Sequence, residues 1–427
     1  MITEEVLRRP LVRPLLVWIA GILLQSTTGC SRGAMLLLLL SLLVIIFAFV
    51  FSMCRRREVF SYDMRWLWGA AFLPLLLSFA MQRTAFRMTE SEEPKASSLT
   101  RVAREKQMRL VKPFEGLRLT EEEKSVLATI TLGYREDMSR DVRQQFSVTG
   151  VAHILSVSGF HVAVVCGFLT MVFSFLPGST LFRWLRYLST MALLWCFVAI
   201  TGMAASAVRS GLMLSFYLSG RVLLRRTDGY NTLAAAAFCM LAYDPLYLFD
   251  IGFQLSYLAV LSILFLWPRI HSLIVVRNPL LEKPWSWVAV ALAAQAGTAL
   301  LSLYYFRQFS LVFLFTNLPL SFLSTYLIPA GLLYVLLPPA TPGYGLLELM
   351  VEKLTHAMFW IVEAFSRVTQ AALWYRIDGW FTLLGYASIV FFLLYIKTRR
   401  PKMLLTGLLL LLLIIIKLIV EDCLLPS

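Results

Sequence analysis

Apolar runs of about 20 residues recur from one end of this chain to the other, and they constrain its fold more than any other feature. Each run is long enough to cross the hydrocarbon core of a bilayer, about 30 Å thick, as one α-helix. Of the 427 residues, 59% are hydrophobic and only 15% are charged, whereas a soluble domain carries roughly a quarter charged residues. The sequence therefore predicts an all-α polytopic integral membrane protein.

We predict about 11–13 transmembrane helices, some of them broken or amphipathic. The candidate spans are residues 15–29, 34–53, 64–81, 150–176, 188–203, 206–224, 230–243, 249–267, 285–305, 310–337, 346–369, 379–396 and 403–420. The seventh is short and the eleventh is amphipathic, so each also fits an interfacial position. Three domains are expected: N-terminal membrane helices (1–82), an extracytoplasmic linker with a helical segment (83–148), and a large membrane domain (149–420).

The net charge of +14 is explained mostly by membrane orientation. With the N-terminus in the cytoplasm, most cations fall in inner loops, as the positive-inside rule requires. These cations include Arg8, Arg9, Arg13, Arg55–Arg57, Arg65, Arg183, Arg186, Arg221, Arg225, Arg226, Arg269, Arg277, Lys283, Lys397, Arg399, Arg400 and Lys402. Thirteen spans then place the C-terminus outside. No small-x-small cleavage site follows the first span, so we expect that span to remain in the protein.

The sequence favours neither a cofactor nor a metal site. Six cysteines are scattered without a CxxC pair, and most lie in or beside apolar spans, where cysteine behaves as a small hydrophobe. They are Cys30, Cys54, Cys166, Cys196, Cys239 and Cys423. No Gly-x-x-x-x-Gly-Lys-Ser/Thr loop is present, so ATP binding by that route is not expected. We expect no cofactor, no metal and no enzymatic activity.

Residues 83–148 form the main polar insertion between spans. The segment TESEEPKASS within it predicts a linker, and a helix is expected after Thr120. Thr120 can cap that helix, because Glu123 follows three residues later as in a capping box. The apolar side of the helix is expected to be Val126, Leu127, Ile130 and Leu132.

The stretch HILSVSGFHVAVV, residues 153–165, places His153, Ser158, Gly159 and His161 inside an apolar run. Glycine weakens a helix, and a serine hydroxyl can bond back to a carbonyl one turn earlier. A break there exposes backbone groups, which is tolerated only against protein or water. Three interpretations stay open: close helix packing, a lining or gating position in a translocation path, and a catalytic role.

A second polar stretch, MAASAVRSGLMLSFYLSG, carries Arg209 about one turn inside a span. Snorkelling of the side chain to the surface is one interpretation. Pairing with a carboxylate and contact with a phosphate of a substrate are the others.

A third polar stretch, YDPLYLFDIGFQLSYLAV, places Asp250 at an N-cap-like position, with Gly252 and Gln254 in the following turn. Our orientation puts Arg209 and Asp250 near the same side of the membrane, so we predict an ion pair between them. Smaller interruptions, which fit a path or an ordinary kink, occur at Gln295, Gly297 and Asn317, the last near Pro319.

Three ordered blocks of this sequence resemble the ComEC competence proteins. GVAHILSVSGFHVAVV is similar to that family's first signature, and DPLYLFDIGFQLSYLAVLSIL to its second. The segment ITLGYREDMSRDVRQQFSVTG resembles the lead-in helix, and the resemblance covers about residues 119–335. The motif positions carried over are His153, Ser158, Gly159, His161, Arg209, Asp250, Gly252, Phe253, Gln254 and Ser256.

The resemblance implies a channel in the bacterial inner membrane that passes single-stranded DNA into the cytoplasm during natural transformation. It implies the strand and the lipid bilayer as partners, together with separate DNA-receptor, nuclease and motor proteins, and a homo-oligomer is a further candidate. Residues 149–420 are then a competence-type channel domain. The candidates for its path or gate are His153, Ser158, Gly159, His161, Arg209, Asp250, Gly252, Gln254 and Asn317.

The sequence also departs from that family. Residues 83–118 are too few for a complete OB-fold, no His-x-His-x-Asp-His cluster of a metallo-β-lactamase-like domain is present, and alanines precede Arg209 where a proline is expected. Two alternatives therefore stay open. One is a transporter of small solutes or another substrate. The other is an intramembrane hydrolase using Ser158 and His161, since SVSG resembles the Gly-x-Ser-Gly of rhomboid proteases.

Overall fold

The computed structural model describes residues 9–29, 31–54, 65–89, 105, 107–225, 227–368, 372–375 and 377–424. The α-helices of this part of the chain are α1 (Val12–Thr28), α2 (Ser31–Cys54), α3 (Arg65–Thr89), α4 (Glu121–Leu132), α5 (Arg140–Val148), α6 (Gly159–Val172), α7 (Thr180–Ile200), α8 (Ala205–Val222), α9 (Gly229–Tyr243), α10 (Ile251–His271), α11 (Pro279–Phe306), α12 (Phe313–Leu336), α13 (Tyr344–Ser366), α14 (Gly379–Thr398) and α15 (Pro401–Leu424). Short 3-10 helices lie at Lys112–Gly116, Ala152–Leu155, Phe173–Phe175 and Pro245–Phe249.

A helix coincides with each of the thirteen predicted spans, namely α1–α3 and α6–α15. The all-α fold is therefore confirmed. Four helical stretches of the described chain are long and apolar enough by themselves to cross a membrane: Ile251–His271, Pro279–Phe306, Phe313–Leu336 and Gly379–Ile396. Shorter apolar helices lie at Val12–Thr28, Met35–Phe47 and Gly159–Phe175. The protein is a multi-pass membrane protein.

The chain divides into two compact units that alternate along the sequence. The first comprises the described residues of 1–138, 154–257 and 323–356, and the second those of 139–153, 258–322 and 357–424. The predicted domain boundaries after residues 82 and 148 stay a prediction. The linker predicted at residues 89–98 falls, beyond Thr89, outside the described residues, as do Arg8 and Arg55–Arg57.

The first unit has an apolar core in which α1, α3, α9 and the start of α10 meet. The core residues are Trp18, Ile22, Ala80, Ala237, Met240, Leu241 and Phe253. The Trp18 indole N–H donates to the Leu241 carbonyl at 3.2 Å, so the ring is buried with its polar atom satisfied.

Helix α4 of the first unit begins with the predicted capping box, in which Glu123 N–H donates to the Thr120 hydroxyl at 3.3 Å and Thr120 N–H to the Glu123 carboxylate at 2.9 Å. The prediction of one apolar side is too narrow, however, because every residue from Ser125 to Leu132 is buried. Two threonines on the other side can be buried because their hydroxyls donate to helix carbonyls: Thr129 to Ser125 at 2.7 Å and Thr131 to Leu127 at 2.6 Å.

The second unit is held by contacts of α11 with α14 and by a two-stranded antiparallel sheet. Strand β1 (Gln308–Ser310) pairs with β2 (Ala372–Trp374). The Tyr386 hydroxyl donates to the Gly297 carbonyl at 2.7 Å and accepts the Leu301 N–H at 3.2 Å. A Cβ on Gly297 would lie 1.8 Å from the Ser262 hydroxyl oxygen. The interruption at Gly297 therefore serves close helix packing.

Candidate functional site

The first polar stretch breaks the helix, as predicted. A 3-10 helix ends at Leu155, and α6 starts at Gly159 with Ser158 as its N-cap. Ser158 N–H donates to Nδ1 of His161 at 3.3 Å, and the Ser158 hydroxyl lies 2.8 Å from the same nitrogen. Because an N–H can only donate, Nδ1 is the acceptor and the hydroxyl also donates to it. His161 is fully buried, so this cap is an internal feature of the first unit.

Helix α8 packs directly against this break. The Ser206 hydroxyl donates to the Val157 carbonyl, which satisfies a backbone group that lies outside α6. A Cβ on Gly159 would lie 2.7 Å from the Ser210 hydroxyl oxygen, so a larger residue fits only if that hydroxyl moves. Ser206 and Ser210 are one turn apart, and the Ser210 hydroxyl donates to the Ser206 carbonyl at 3.0 Å. The broken segment before α6 therefore packs against α8 through the polar side chains of Ser206 and Ser210.

Arg209 of α8 lies beside the second motif. Its side chain is buried, with 2% of the residue exposed, and its Nη1 lies 3.8 Å from Oδ1 of Asp250. The predicted ion pair is therefore confirmed, and the snorkelling interpretation is wrong, because the guanidinium is enclosed by protein. The Asp250 side chain is about half exposed. The distance of 3.8 Å exceeds that of a hydrogen bond, so the two groups attract each other mainly through their charges.

Asp250 also starts α10, as predicted. Its Oδ1 accepts the Phe253 N–H at 2.7 Å, which is the usual bond of an N-cap carboxylate. The Gln254 side chain donates to the Leu248 carbonyl at 3.0 Å and ties the first turn of α10 to the preceding 3-10 helix. A Cβ on Gly252 would lie 3.2 Å from Oδ1 of Asp250 and 3.4 Å from Nη2 of Arg209. Glycine at this position therefore leaves room for the ion pair.

Two further candidates, His153 and Asn317, lie in the second unit. Their side chains are hydrogen-bonded to each other. His153 also bonds the Gly150 backbone. Close by, the Thr316 hydroxyl donates to the Thr149 carbonyl at 2.7 Å. His153 thus precedes the break and belongs to the second unit, whereas His161 belongs to the first.

The structure therefore distributes the nine predicted residues over two contact groups. The group in the first unit comprises Ser158, Gly159, His161, Arg209, Asp250, Gly252 and Gln254, and that in the second comprises His153 and Asn317. Sequence reasoning did not assign the contacts of Ser206 and Ser210 with the break. Their spacing of four residues, which puts both on one helix face, was the available signal.

Chemically, the first group offers hydroxyls, a buried imidazole and a buried cation with a carboxylate. In the part of the chain that the structure describes, no three or more His, Cys, Asp and Glu side chains come together as a metal site requires. Cys166, Cys196 and Cys239 are free thiols. The group is thus suited to hold helices in register and to present polar atoms inside a membrane domain.

These features define a multi-pass helical membrane protein whose central helices are interrupted by polar motifs. The chain belongs to the competence protein family, whose model matches residues 130–400. It is 28% identical over 221 residues to ComE operon protein 3 of Bacillus subtilis (strain 168), a match that covers 52% of this chain and 27% of that protein.

A second relative is the uncharacterized protein YcaI of Escherichia coli (strain K12). It is 23% identical over 275 residues, covering 61% of this chain and 36% of the relative. The chain thus matches about a quarter to a third of the length of these curated relatives. No solved structure matches the chain.

Proposed function

We propose that this protein forms a channel through which single-stranded DNA crosses the bacterial inner membrane during natural transformation. Membership of the competence protein family supports this role, since the match to residues 130–400 includes every candidate site residue. The observation that carries the proposal is the broken helix at Ser158, packed on α8 through Ser206. Interrupted helices in membrane transport proteins occur where backbone lines a cavity or path.

In this proposal the two motifs act together at α8. The Ser158–His161 cap holds the broken helix in one geometry, and the Arg209–Asp250 pair, 3.8 Å apart, holds the start of α10 beside it. The half-exposed Asp250 can face a water-filled path, whereas buried Arg209 offsets its charge and lowers its repulsion of phosphates. The protein then works as a passage and performs no covalent chemistry.

The proposal also includes orientation and partners. Thirteen helices with cations in alternate loops favour a cytoplasmic N-terminus and an extracytoplasmic C-terminus. A DNA receptor outside, a nuclease and a cytoplasmic motor are proposed as separate proteins that deliver, trim and pull the strand. Reporter fusions at successive loops measure the orientation independently of DNA transport.

An intramembrane hydrolase is the second candidate, and one observation favours it. The Ser158 hydroxyl lies 2.8 Å from Nδ1 of His161, which is within the reach that a nucleophile and its base require. The same nitrogen, however, accepts the Ser158 backbone N–H at 3.3 Å. That second bond has a use in capping α6 and none in activating a nucleophile, so the channel is the better interpretation.

The proposal is tested with the purified full chain in vesicles that enclose a nuclease active on single and double strands. Strands added outside are degraded only if they cross the membrane, and degradation keeps their inner concentration low. We expect loss of single strands and little loss of a duplex of equal length. If external strands stay intact while an enclosed small dye escapes, the small-solute alternative replaces the channel.

A further inference from the structure

A cavity of about 390 Å³ lies in the second unit, at the turn that joins α10 to α11. We call it the α10–α11 cavity; its lining includes His271, Val276, Arg277, Glu282 and Trp285. The Trp285 indole N–H donates to the His271 carbonyl at 3.0 Å, which fixes the start of α11 against the end of α10. None of these residues belongs to the candidate site above.

The position of this turn places it at a membrane surface, because both helices that it connects are long and apolar enough to span. Its apolar side chains are nevertheless strongly exposed: Leu273 by 77%, Val275 by 83% and Leu280 by 82%. Apolar side chains at such positions are stable when they dip among lipid chains. Trp285 beside them has the side chain that membrane interfaces favour. These exposed side chains are therefore suited to contact lipid.

The charges of the turn suit an anionic lipid. Arg277 is exposed, lines the cavity and forms no ion pair with any residue that the structure describes. Lys283 adds a second exposed cation. Glu282 is a carboxylate in the cavity lining, and its Oε1 lies 3.9 Å from Nε2 of His271. A guanidinium binds phosphate oxygens in a fork, and a carboxylate accepts hydrogen bonds from hydroxyl groups.

We infer that the α10–α11 cavity binds the headgroup of an anionic phospholipid of the phosphatidylglycerol type. Arg277 donates to the phosphate oxygens, Glu282 accepts from the headgroup hydroxyls, and Leu273 and Val275 lie among the acyl chains. This lipid site does not depend on DNA transport.

Native mass spectrometry of the purified full chain in detergent tests the site directly. Phosphatidylglycerol is titrated against wild type, and phosphatidylcholine with the same acyl chains serves as the lipid control. Arg277→Gln removes the guanidinium that binds the phosphate. Arg225→Gln is the control, because it removes an exposed cation from another loop. Val276→Trp fills the cavity without changing charge.

We expect one phosphatidylglycerol bound at least tenfold more tightly than phosphatidylcholine, because phosphatidylcholine has the same phosphate but a choline cation that cancels its negative charge and no headgroup hydroxyl for Glu282. Arg277→Gln and Val276→Trp lose this preference, and Arg225→Gln keeps it. Equal binding of both lipids, or full binding by Arg277→Gln, overturns the proposal. Displacement of the lipid by equimolar inorganic phosphate also overturns it, because the site then takes free phosphate.

Discussion

The Arg209 guanidinium and the Asp250 carboxylate lie 3.8 Å apart and join the second and third polar stretches of this protein. Oδ1 of Asp250 lies 3.8 Å from Nη1 of Arg209 and also accepts the Phe253 N–H at 2.7 Å. One carboxylate therefore supports a buried cation and the first turn of α10. This relationship links the position of α8 to the start of α10.

The first prediction concerns the energy of this pair. Asp250→Asn keeps a side chain that caps a helix but removes the charge, which leaves Arg209 buried without its partner. Arg209→Met removes the buried cation instead. We expect both single variants to unfold at lower temperature in detergent. The double variant should lose less stability than the sum of the two single losses.

The double-mutant cycle measures the coupling, which we expect at about 0.5–1.5 kcal/mol. The value lies in the lower part of the usual range because Asp250 is half exposed and water screens its charge. Strictly additive losses would show that the two groups do not interact.

The second prediction compares two glycines of α6. A Cβ on Gly159 meets the Ser210 hydroxyl at 2.7 Å, whereas a Cβ on Gly167 meets nothing within 4 Å. Gly159→Ala should therefore lower Tm, and Gly167→Ala should leave it unchanged or raise it, since alanine favours a helix by roughly 0.5–1 kcal/mol. Ser210→Ala removes the hydroxyl and should restore the stability of Gly159→Ala. Equal effects of the two glycine variants would count against this packing.

The third prediction separates capping from catalysis at Ser158. Asparagine caps helices as well as serine does but has no nucleophilic hydroxyl, whereas alanine caps poorly. We expect Ser158→Asn to retain DNA uptake and Ser158→Ala to lose about 1 kcal/mol of stability. Uptake assays and thermal unfolding are measured on the same preparations. Loss of all activity in a stably folded Ser158→Asn variant would favour the hydrolase.

The fourth prediction concerns acid sensitivity at Glu123, which lies in α4, outside the spans. Burial tends to raise the pKa of Glu123, but bonds from the Thr120 N–H and from His356 outweigh burial and hold that pKa below its ordinary value of 4.5. A lowered carboxyl pKa gives stability that is present above the unfolded value and is lost as pH falls below it.

Wild type should therefore lose stability below about pH 4.5, and Glu123→Gln should lose less over the same interval. Thermal unfolding of both proteins across that interval measures the difference. Parallel pH profiles would mean that Glu123 is not held in this way. Glu121→Gln is the matched control, because Glu121 is an exposed carboxylate on the same helix.

Local patterns predicted the helices and their caps well. Each of the thirteen hydrophobic runs coincides with a helix, and the capping box at Thr120 and the N-cap at Asp250 were confirmed because each depends on residues within three positions. The break at Ser158 followed from serine and glycine in an apolar run.

Contacts between distant segments could not be predicted in the same way. The bond from Ser206 to the Val157 carbonyl and the 2.8 Å contact of His356 with Glu123 join residues far apart in sequence. Both sides of α4 are buried because other segments of the chain pack against them. The hydrophobic periodicity of α4 alone does not indicate this. The ion pair of Arg209 with Asp250 was predictable because a cation inside a membrane domain needs an opposite charge nearby.

The central claim is that this protein carries DNA into the cell, and uptake of labelled DNA into the cytoplasm of the source cell tests it most directly. Wild type, a deletion strain and a His161→Ala variant at normal protein level are compared. We expect the deletion to abolish cytoplasmic label and His161→Ala to reduce it strongly with the protein still in the membrane. Unchanged uptake in the deletion strain would contradict the account and leave transport of another substrate as the better explanation.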